Sequence, residues 1–202
     1  MEIKGYSTEI SPTEFEKLVK DYFLEISGTL KNFNATHNVK IKSFDGDYQI
    51  DVIAEFEALN TEIRVLVECK KHKNRIKREI VQVLFDKLRA TGSHKGIIFS
   101  TSGFQSGAEK FAKQHGIALI TVIEGKLTVG VKTAEKTEIS DEYLQFFDIP
   151  KFVGEYNYSE NGICYLQRGY LESLEDFIFE SKSSSQRRNI SNGEAFQTDN
   201  TE

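Results

Sequence analysis

Cysteine is scarce in this 202-residue chain, with only Cys69 and Cys164 present. Two cysteines so far apart supply neither a disulfide framework nor a CxxC pair, which makes a structural zinc an unsuitable expectation. No run of eighteen apolar residues occurs, so nothing reads as a membrane-spanning helix. The opening Met1-Glu2-Ile3-Lys4-Gly5-Tyr6 lacks the apolar core of a secretory signal. These absences together suggest a protein of a reducing cytoplasm. No internal repeat is visible either, and the length suits one well-packed domain with an appendage.

The apolar content is sufficient for a folded core, at 39% hydrophobic and 11% aromatic residues. The net charge of −5 argues at first against a nucleic-acid partner. Its distribution changes that reading. Residues 1–130 carry 19 basic and 17 acidic groups, whereas residues 131–202 carry 7 and 14. The acidity belongs to the C-terminal third, and phosphate attraction depends on local patches rather than on the whole chain.

Taken in order, Ser11-Pro12-Thr13-Glu14 predicts a helix start, with Ser as N-cap, Pro first and Glu third. Phe15, Leu18, Val19, Tyr22, Phe23 and Ile26 then recur at helical spacing, up to a stop near Gly28. Residues 37–44 alternate as a half-exposed strand, and Asp45-Gly46-Asp47 reads as a turn. The next strand, 48–56, is expected to place Ile50, Val52, Ala54 and Phe56 on one face and Asp51 and Ile53 on the other. Its partner, 62–70, places Arg64, Leu66, Glu68 and Lys70 on a common face.

A helix over 78–91 should turn Ile80, Val83, Leu84, the Lys87 stem and Leu88 inward and stop at Gly92. Gly96-Ile97-Ile98-Phe99-Ser100 and Ile117–Ile123 read as buried, often parallel, strands. Between them a helix over 106–115 turns Ala108, Phe111 and Ala112 inward. The order predicts an α/β fold, a mixed β-sheet flanked by helices, occupying residues 1–130. Residues 131–180 are rich in aromatics, including Tyr143, Phe146, Phe147, Phe152, Tyr156 and Tyr158, and suggest a small C-terminal appendage. Residues 181–202 have the composition of a disordered tail.

The chemistry concentrates on one hairpin. A turn centred on Leu59-Asn60 makes paired residue numbers sum to 119, which sets Asp51 opposite Glu68 with Lys70 one step along. Directly opposed residues have Cβ atoms about 4.5–5.5 Å apart, close enough for two carboxylates to share a cation. The plain alternative is a strand with solvated charges. Against it, both strands are otherwise apolar, and a buried carboxylate pair is costly without a compensating cation. Magnesium provides that compensation with one or two carboxylates, water and substrate phosphate. Lys70 would serve as a compact positive charge beside the reacting phosphate.

Asp51 followed by Glu68-Cys69-Lys70 resembles the D…ExK signature of the PD-(D/E)XK nucleases. The surrounding pieces resemble the Mrr-type restriction endonuclease catalytic domain in particular. They are Phe15-Glu16, Gly46 to Ala54, Val67 to Lys70, Gly96 to Phe104, Ala108, and Ile117 to Ile120. The resemblance covers about residues 11–123. It implies a restriction-endonuclease-like fold and magnesium-dependent endonuclease cleavage of DNA, with manganese as a substitute ion, in defence against foreign or modified DNA. Asp51, Glu68 and the Cys69 backbone carbonyl would hold the metal. Glu16 would be a further catalytic acid, Lys70 would assist the attacking water, and Gln82 would be an auxiliary residue. Tyr48-Gln49 departs from the Gly-Gly pair of many relatives, and Glu68 stands where many have Gln.

As plain helix residues, Glu16 and Gln82 would simply be solvated. The run Lys71, Lys73, Arg75, Lys77 and Arg78 is expected to contact DNA phosphates at the rim. His72, His94 and His115 show no metal-ligand spacing, and Thr101-Ser102-Gly103 is either a phosphate-facing loop or a strand-to-helix turn. Two rivals stand beside the main reading: a Holliday-junction-type nuclease, and a nucleic-acid-binding module without catalysis. A homodimer would cut both strands, and a partner protein or residues 131–180 would supply specificity.

Overall fold

In the computed structural model, which describes residues 10–26, 31–58, 60–124, 141–159, 162–167 and 171–179, the first helix α1 spans Pro12–Ile26. The Glu14 N–H donates to Ser11 Oγ at 3.2 Å, and the Ser11 N–H donates to Glu14 Oε2 at 2.9 Å. This reciprocal capping box satisfies two donors that a helix start leaves open. Phe15, Val19, Tyr22 and Phe23 are buried from its inner stripe. The expected stop near Gly28 lies outside the described residues.

Among the described residues, seven strands follow one another across a single sheet in chain order. The meander β1 (Lys31–Lys42), β2 (Asp47–Ala58) and β3 (Thr61–Lys70) is antiparallel. Helix α2 (Arg78–Thr91) leads to β4 (Lys95–Ser100), and α3 (Ser106–His115) leads to β5 (Ile117–Glu124). These crossovers make β3, β4 and β5 parallel neighbours. After α4 (Asp141–Phe146), β6 (Phe152–Ser159) pairs antiparallel with β5, and β7 (Gly162–Leu166) pairs with β6. Helix α5 spans Glu172–Phe179.

Strand alternation divides the core in two. Val65, Val67, Ile97, Phe99 and Ile120 pack with Phe15 and Phe23 of α1 and with Leu174 and Ile178 of α5. On the other face Leu66 and Ile98 pack with Val81 and Leu84 of α2 and with Ala108 and Ala112 of α3. The central parallel strands are therefore covered on both faces, which is why they read as unbroken apolar runs. Gly92 and Gly116 end α2 and α3 in the left-handed conformation, at φ 64° and 67°. Gly96 serves a different need. A Cβ there would lie 2.7 Å from Leu88 Cδ1, so its absence lets α2 close onto β4.

Four features differ from the sequence-based expectation. Strand β1 starts at Lys31 rather than at residue 37. On α2, Val81 is buried while Val83 is 54% exposed, because the helix is rotated slightly from the expected stripe. Ile50 packs under α2 and α3 with Ile53 and Leu66, whereas Val52, Ala54 and Phe56 face α1. The change coincides with an irregularity across the ladder: paired residues run His37↔Val52 and then Val39↔Ile50, and the intervening Asn38 is left-handed at φ 57°. Asparagine tolerates that region, and a left-handed residue interrupts the pleat of β1, where Ala35 faces α1 while Val39 and Ile41 lie on the other face. Finally, residues 152–166 extend the sheet itself, and Leu166, Leu171, Leu174 and Ile178 share the α1 core. The aromatic-rich segment thus contributes strands to the same sheet. The expected tail over residues 181–202 lies outside the described residues.

Candidate active site

The register of the central hairpin is the one the turn predicts. Pairs from Ala58↔Thr61 to Val52↔Val67 all sum to 119. The ladder gives out one step short of Asp51 and Glu68. There a side chain replaces the backbone, for Asp51 Oδ2 accepts the Cys69 N–H at 2.7 Å. In an antiparallel ladder the N–H and C=O of one residue point to the same neighbour. The Cys69 carbonyl is therefore directed to the same edge as Asp51.

Glu68 follows Val67 on the opposite face of β3 and lies beneath α2, with only 4% of its surface exposed. Both of its oxygens are engaged by ammonium groups. Lys70 Nζ donates to Oε2 at 2.5 Å, and Lys87 Nζ of α2 donates to Oε1. Lys70 Nζ also donates to Asp51 Oδ2 at 3.3 Å, so one cation bridges the two carboxylates. Lys87 has a second acceptor in the Gln49 carbonyl of β2, at 2.8 Å. The four side chains carry two negative and two positive charges in a largely buried cluster.

Burial disfavours the Lys70 ammonium, but the charge and hydrogen bond of Glu68, followed by those of Asp51, outweigh it and hold its pKa above the ordinary 10.5. Lys70 is accordingly a donor at neutral pH and no base. The Cys69 thiol is pushed well up by desolvation, reinforced by the carboxylates of Asp51, Glu16 and Glu68. It stays protonated and packs against the α1 core.

Among the described residues no three His, Cys, Asp or Glu side chains are placed to hold a metal ion. Two carboxylates and a carbonyl are nevertheless a hard-oxygen set of the type magnesium and manganese accept, with water and phosphate completing the shell. The Lys70 ammonium within reach of both carboxylates shows that the space between them takes a cation. The residues present fit such an ion.

The other sequence-derived residues divide. Glu16 on α1 lies near enough to Cys69 to bias its thiol, and its Oε2 is 3.7 Å from His37 Nδ1. Gln82 is exposed on α2. The side chain by which α2 reaches the carboxylates is Lys87 instead. Lys71, Lys73, Arg75, Lys77 and Arg78 are all exposed, immediately beyond Lys70. Two of these are partly engaged: Arg75 donates to the Phe104 carbonyl at 3.3 Å, and the Arg78 guanidinium lies 5.0 Å from the Phe111 ring centre.

Thr101 and Ser102 are buried. Their hydroxyls hold the basic loop, Thr101 Oγ1 accepting the His72 N–H at 3.2 Å and Ser102 Oγ donating to the Asn74 carbonyl at 2.8 Å. The Ile76 N–H donates to the Gly103 carbonyl and the Gln105 N–H to the Ile76 carbonyl, each at 2.9 Å. This segment is a strand-to-helix turn that ties the basic loop down. His94 Nδ1 accepts the Arg64 N–H, and His115 packs on Phe85 and Phe111.

Sequence reasoning missed the charge of Lys87 and the proximity of His37 to Glu16. The signal for Lys87 was a lysine set among the inward residues Leu84 and Leu88. His37 carried no such signal.

The Mrr catalytic family, described as a restriction endonuclease, matches residues 7–125, which is more than half of the chain. The chain belongs to this family. The match spans α1 to β5 and contains the D…ExK cluster. A type IV methyl-directed restriction enzyme, EcoKMrr of Escherichia coli K12, is 24% identical over 148 residues, 73% of this chain and 45% of the relative. The crystal structure of a protein of unknown function, AF1548, is similar at 25% identity over 52% of this chain and 54% of that one, with a TM-score of 0.43. Can2 from Sulfobacillus thermosulfidooxidans, in complex with cyclic tetra-adenylate, matches at 24% identity over 54% and 32%, also with a TM-score of 0.43. The chain thus spans about half or less of the length of these proteins. No helix among the described residues is long and apolar enough to cross a membrane.

Proposed function

We propose that this Mrr-family chain is a magnesium-dependent DNA endonuclease that hydrolyses phosphodiester bonds in defence against foreign or modified DNA, in the cytoplasm. The observation that carries the reading is the single ammonium of Lys70 held between Asp51 and Glu68 at the point where the β2–β3 ladder opens. A cation is thereby accommodated beside two acids, a backbone carbonyl and a basic rim. Asp51, Glu68 and the Cys69 carbonyl would hold the metal, and Glu16 would add acidic character from α1. A divalent ion bound there would supply Lewis acidity to the phosphate and would lower the pKa of a water.

The chain's own groups do the remainder. Lys70, kept protonated by its two carboxylates, donates to the phosphate oxygens as negative charge develops on them. Lys71, Lys73 and Lys77, with the outer faces of Arg75 and Arg78, position the backbone of the nucleic acid without reading its sequence. The hydrogen bonds that Thr101 accepts from His72 and Ser102 donates to Asn74 keep this basic loop from moving away from Lys70. The thiol of Cys69 takes no part.

The test is incubation of supercoiled plasmid, methylated and unmethylated, with protein and magnesium, beside Asp51→Asn and Lys70→Ala. Nicking or linearisation by wild type only is expected. Equal integrity of all plasmids with wild type, or equal cutting by the variants, would overturn the assignment.

A further inference from the structure

Glu68 presents a specific conflict. It is the more buried of the two acids, yet each of its oxygens is already bonded to an ammonium. Lys70 belongs to the ExK pattern. Lys87 does not, and it arrives from a different element, reaching down from α2 with a side chain only 15% exposed. Its second bond, to the Gln49 carbonyl at 2.8 Å, anchors it between β2 and β3 and fixes its approach to Oε1. Asp51, Glu68, Lys70 and Lys87 then sum to zero charge, whereas the three-residue pattern alone would leave the site at −1.

We propose that Lys87 is a positioning residue that competes with the divalent ion for Glu68, keeping the cluster of Asp51, Glu68, Lys70 and Lys87 charge-balanced and weakly metal-loaded until phosphate arrives. This inference rests on the metal-site reading above and deepens it. The physics is direct: a positive charge a few ångströms from a divalent ion opposes its binding, and the opposition is strong where the surroundings are mostly protein. Removing Lys87 while leaving Lys70 on Oε2 restores a net negative charge to the pair of acids. Metal affinity should rise even though cleavage, which needs Glu68 held in place, should fall. A residue that merely stabilised the fold would lower both.

The experiment measures manganese binding to the full chain without nucleic acid, by calorimetry and by the spin-resonance signal of the free ion. Wild type, Lys87→Met and Lys87→Arg are compared, with plasmid cleavage and melting followed in parallel. Lys87→Met is expected to bind manganese about ten-fold more tightly, the order a nearby unit charge produces, and to cut more slowly. Lys87→Arg should return affinity towards wild type. Unchanged or weaker affinity in a folded Lys87→Met overturns the proposal.

Wild type provides a second readout that needs no variant. Reductive methylation should find the Lys87 amine protected without metal and several-fold more reactive with magnesium, and equal reactivity overturns the proposal. Cleavage by wild type with Lys87→Met affinity unaltered removes only the role of Lys87. Absence of both manganese binding and cleavage in wild type removes the nuclease reading and this inference with it.

Discussion

Asp51 Oδ2 accepts the Cys69 backbone N–H at 2.7 Å, one residue beyond the last pair of the β2–β3 ladder. The same oxygen accepts Lys70 Nζ at 3.3 Å. One carboxylate therefore closes the hairpin and joins the charged cluster, and the two roles can be separated. Asp51→Asn keeps an oxygen acceptor for Cys69 while removing the charge. Plasmid cleavage should fall by at least about a hundred-fold, the scale seen when one charge-stabilising group is lost. Thermal melting should stay close to wild type. A variant that melts early without losing activity would reverse the assignment.

Glu68→Ala would leave Lys70 and Lys87 facing one another in a mostly buried space. Breaking a buried ion pair from one side costs about 3–5 kcal/mol, because a charge is left uncompensated. Urea unfolding should show a loss of that order. Adding Lys87→Met to Glu68→Ala should recover part of it, since Lys70 keeps Asp51 as a partner and the ammonium left without a carboxylate is gone. A Glu68→Ala protein as stable as wild type would contradict the observed bonding.

At Gly96, alanine would meet Leu88 Cδ1 at 2.7 Å and Leu84 Cδ2 at 3.2 Å. Both contacts are side-chain ends, so they can move, but only within a packed layer. A cost of about 1–3 kcal/mol is expected from such overpacking. Because α2 also carries Lys87, manganese affinity should shift along with stability in Gly96→Ala.

The capping box of α1 predicts a pH signature. Hydrogen bonds from the Ser11 hydroxyl region and the Ser11 N–H lower the Glu14 pKa below 4.5. A lowered carboxylate contributes stability above its unfolded value, and the contribution is lost as pH falls through the folded value. Melting of wild type and Glu14→Gln should differ at pH 7 and converge as the pH falls through the lowered folded value of Glu14. Ser11→Ala should cost about 1 kcal/mol at neutral pH. A gap between wild type and Glu14→Gln that persists in acid would show that charge plays no part in the cap.

The basic rim predicts a salt dependence. Each lysine that contacts a phosphate contributes about 0.9 to the slope of log affinity against log salt on duplex DNA. Lys71→Ala, Lys73→Ala and Lys77→Ala should each flatten that slope without altering preference among sequences. An unchanged slope in the triple variant would place the nucleic acid elsewhere on the surface.

Much of this architecture is decided locally and was legible in the chain. The Ser11–Glu14 cap and the glycine stops at 92 and 116 depend on neighbours within one helical turn. The hairpin register depends on a tight turn and on alternation that buries one face, so the sum of 119 follows from residues 52–67 alone. Two acids and a lysine close to that register were enough to suggest the cluster. What only the tertiary structure decided depends on contacts distant in the chain. Ile50 changes face opposite Asn38, a left-handed residue of another strand. The segment 152–166 joins the sheet because β5 presents an open edge to it. Lys87 reaches Glu68 because Gly96 lets α2 sit close to the strands, and helical periodicity alone cannot tell a buried stem from a buried ammonium. The hairpin with which the chemistry starts is thus written in the sequence, but the charge balance around Glu68 is a property of the packed fold.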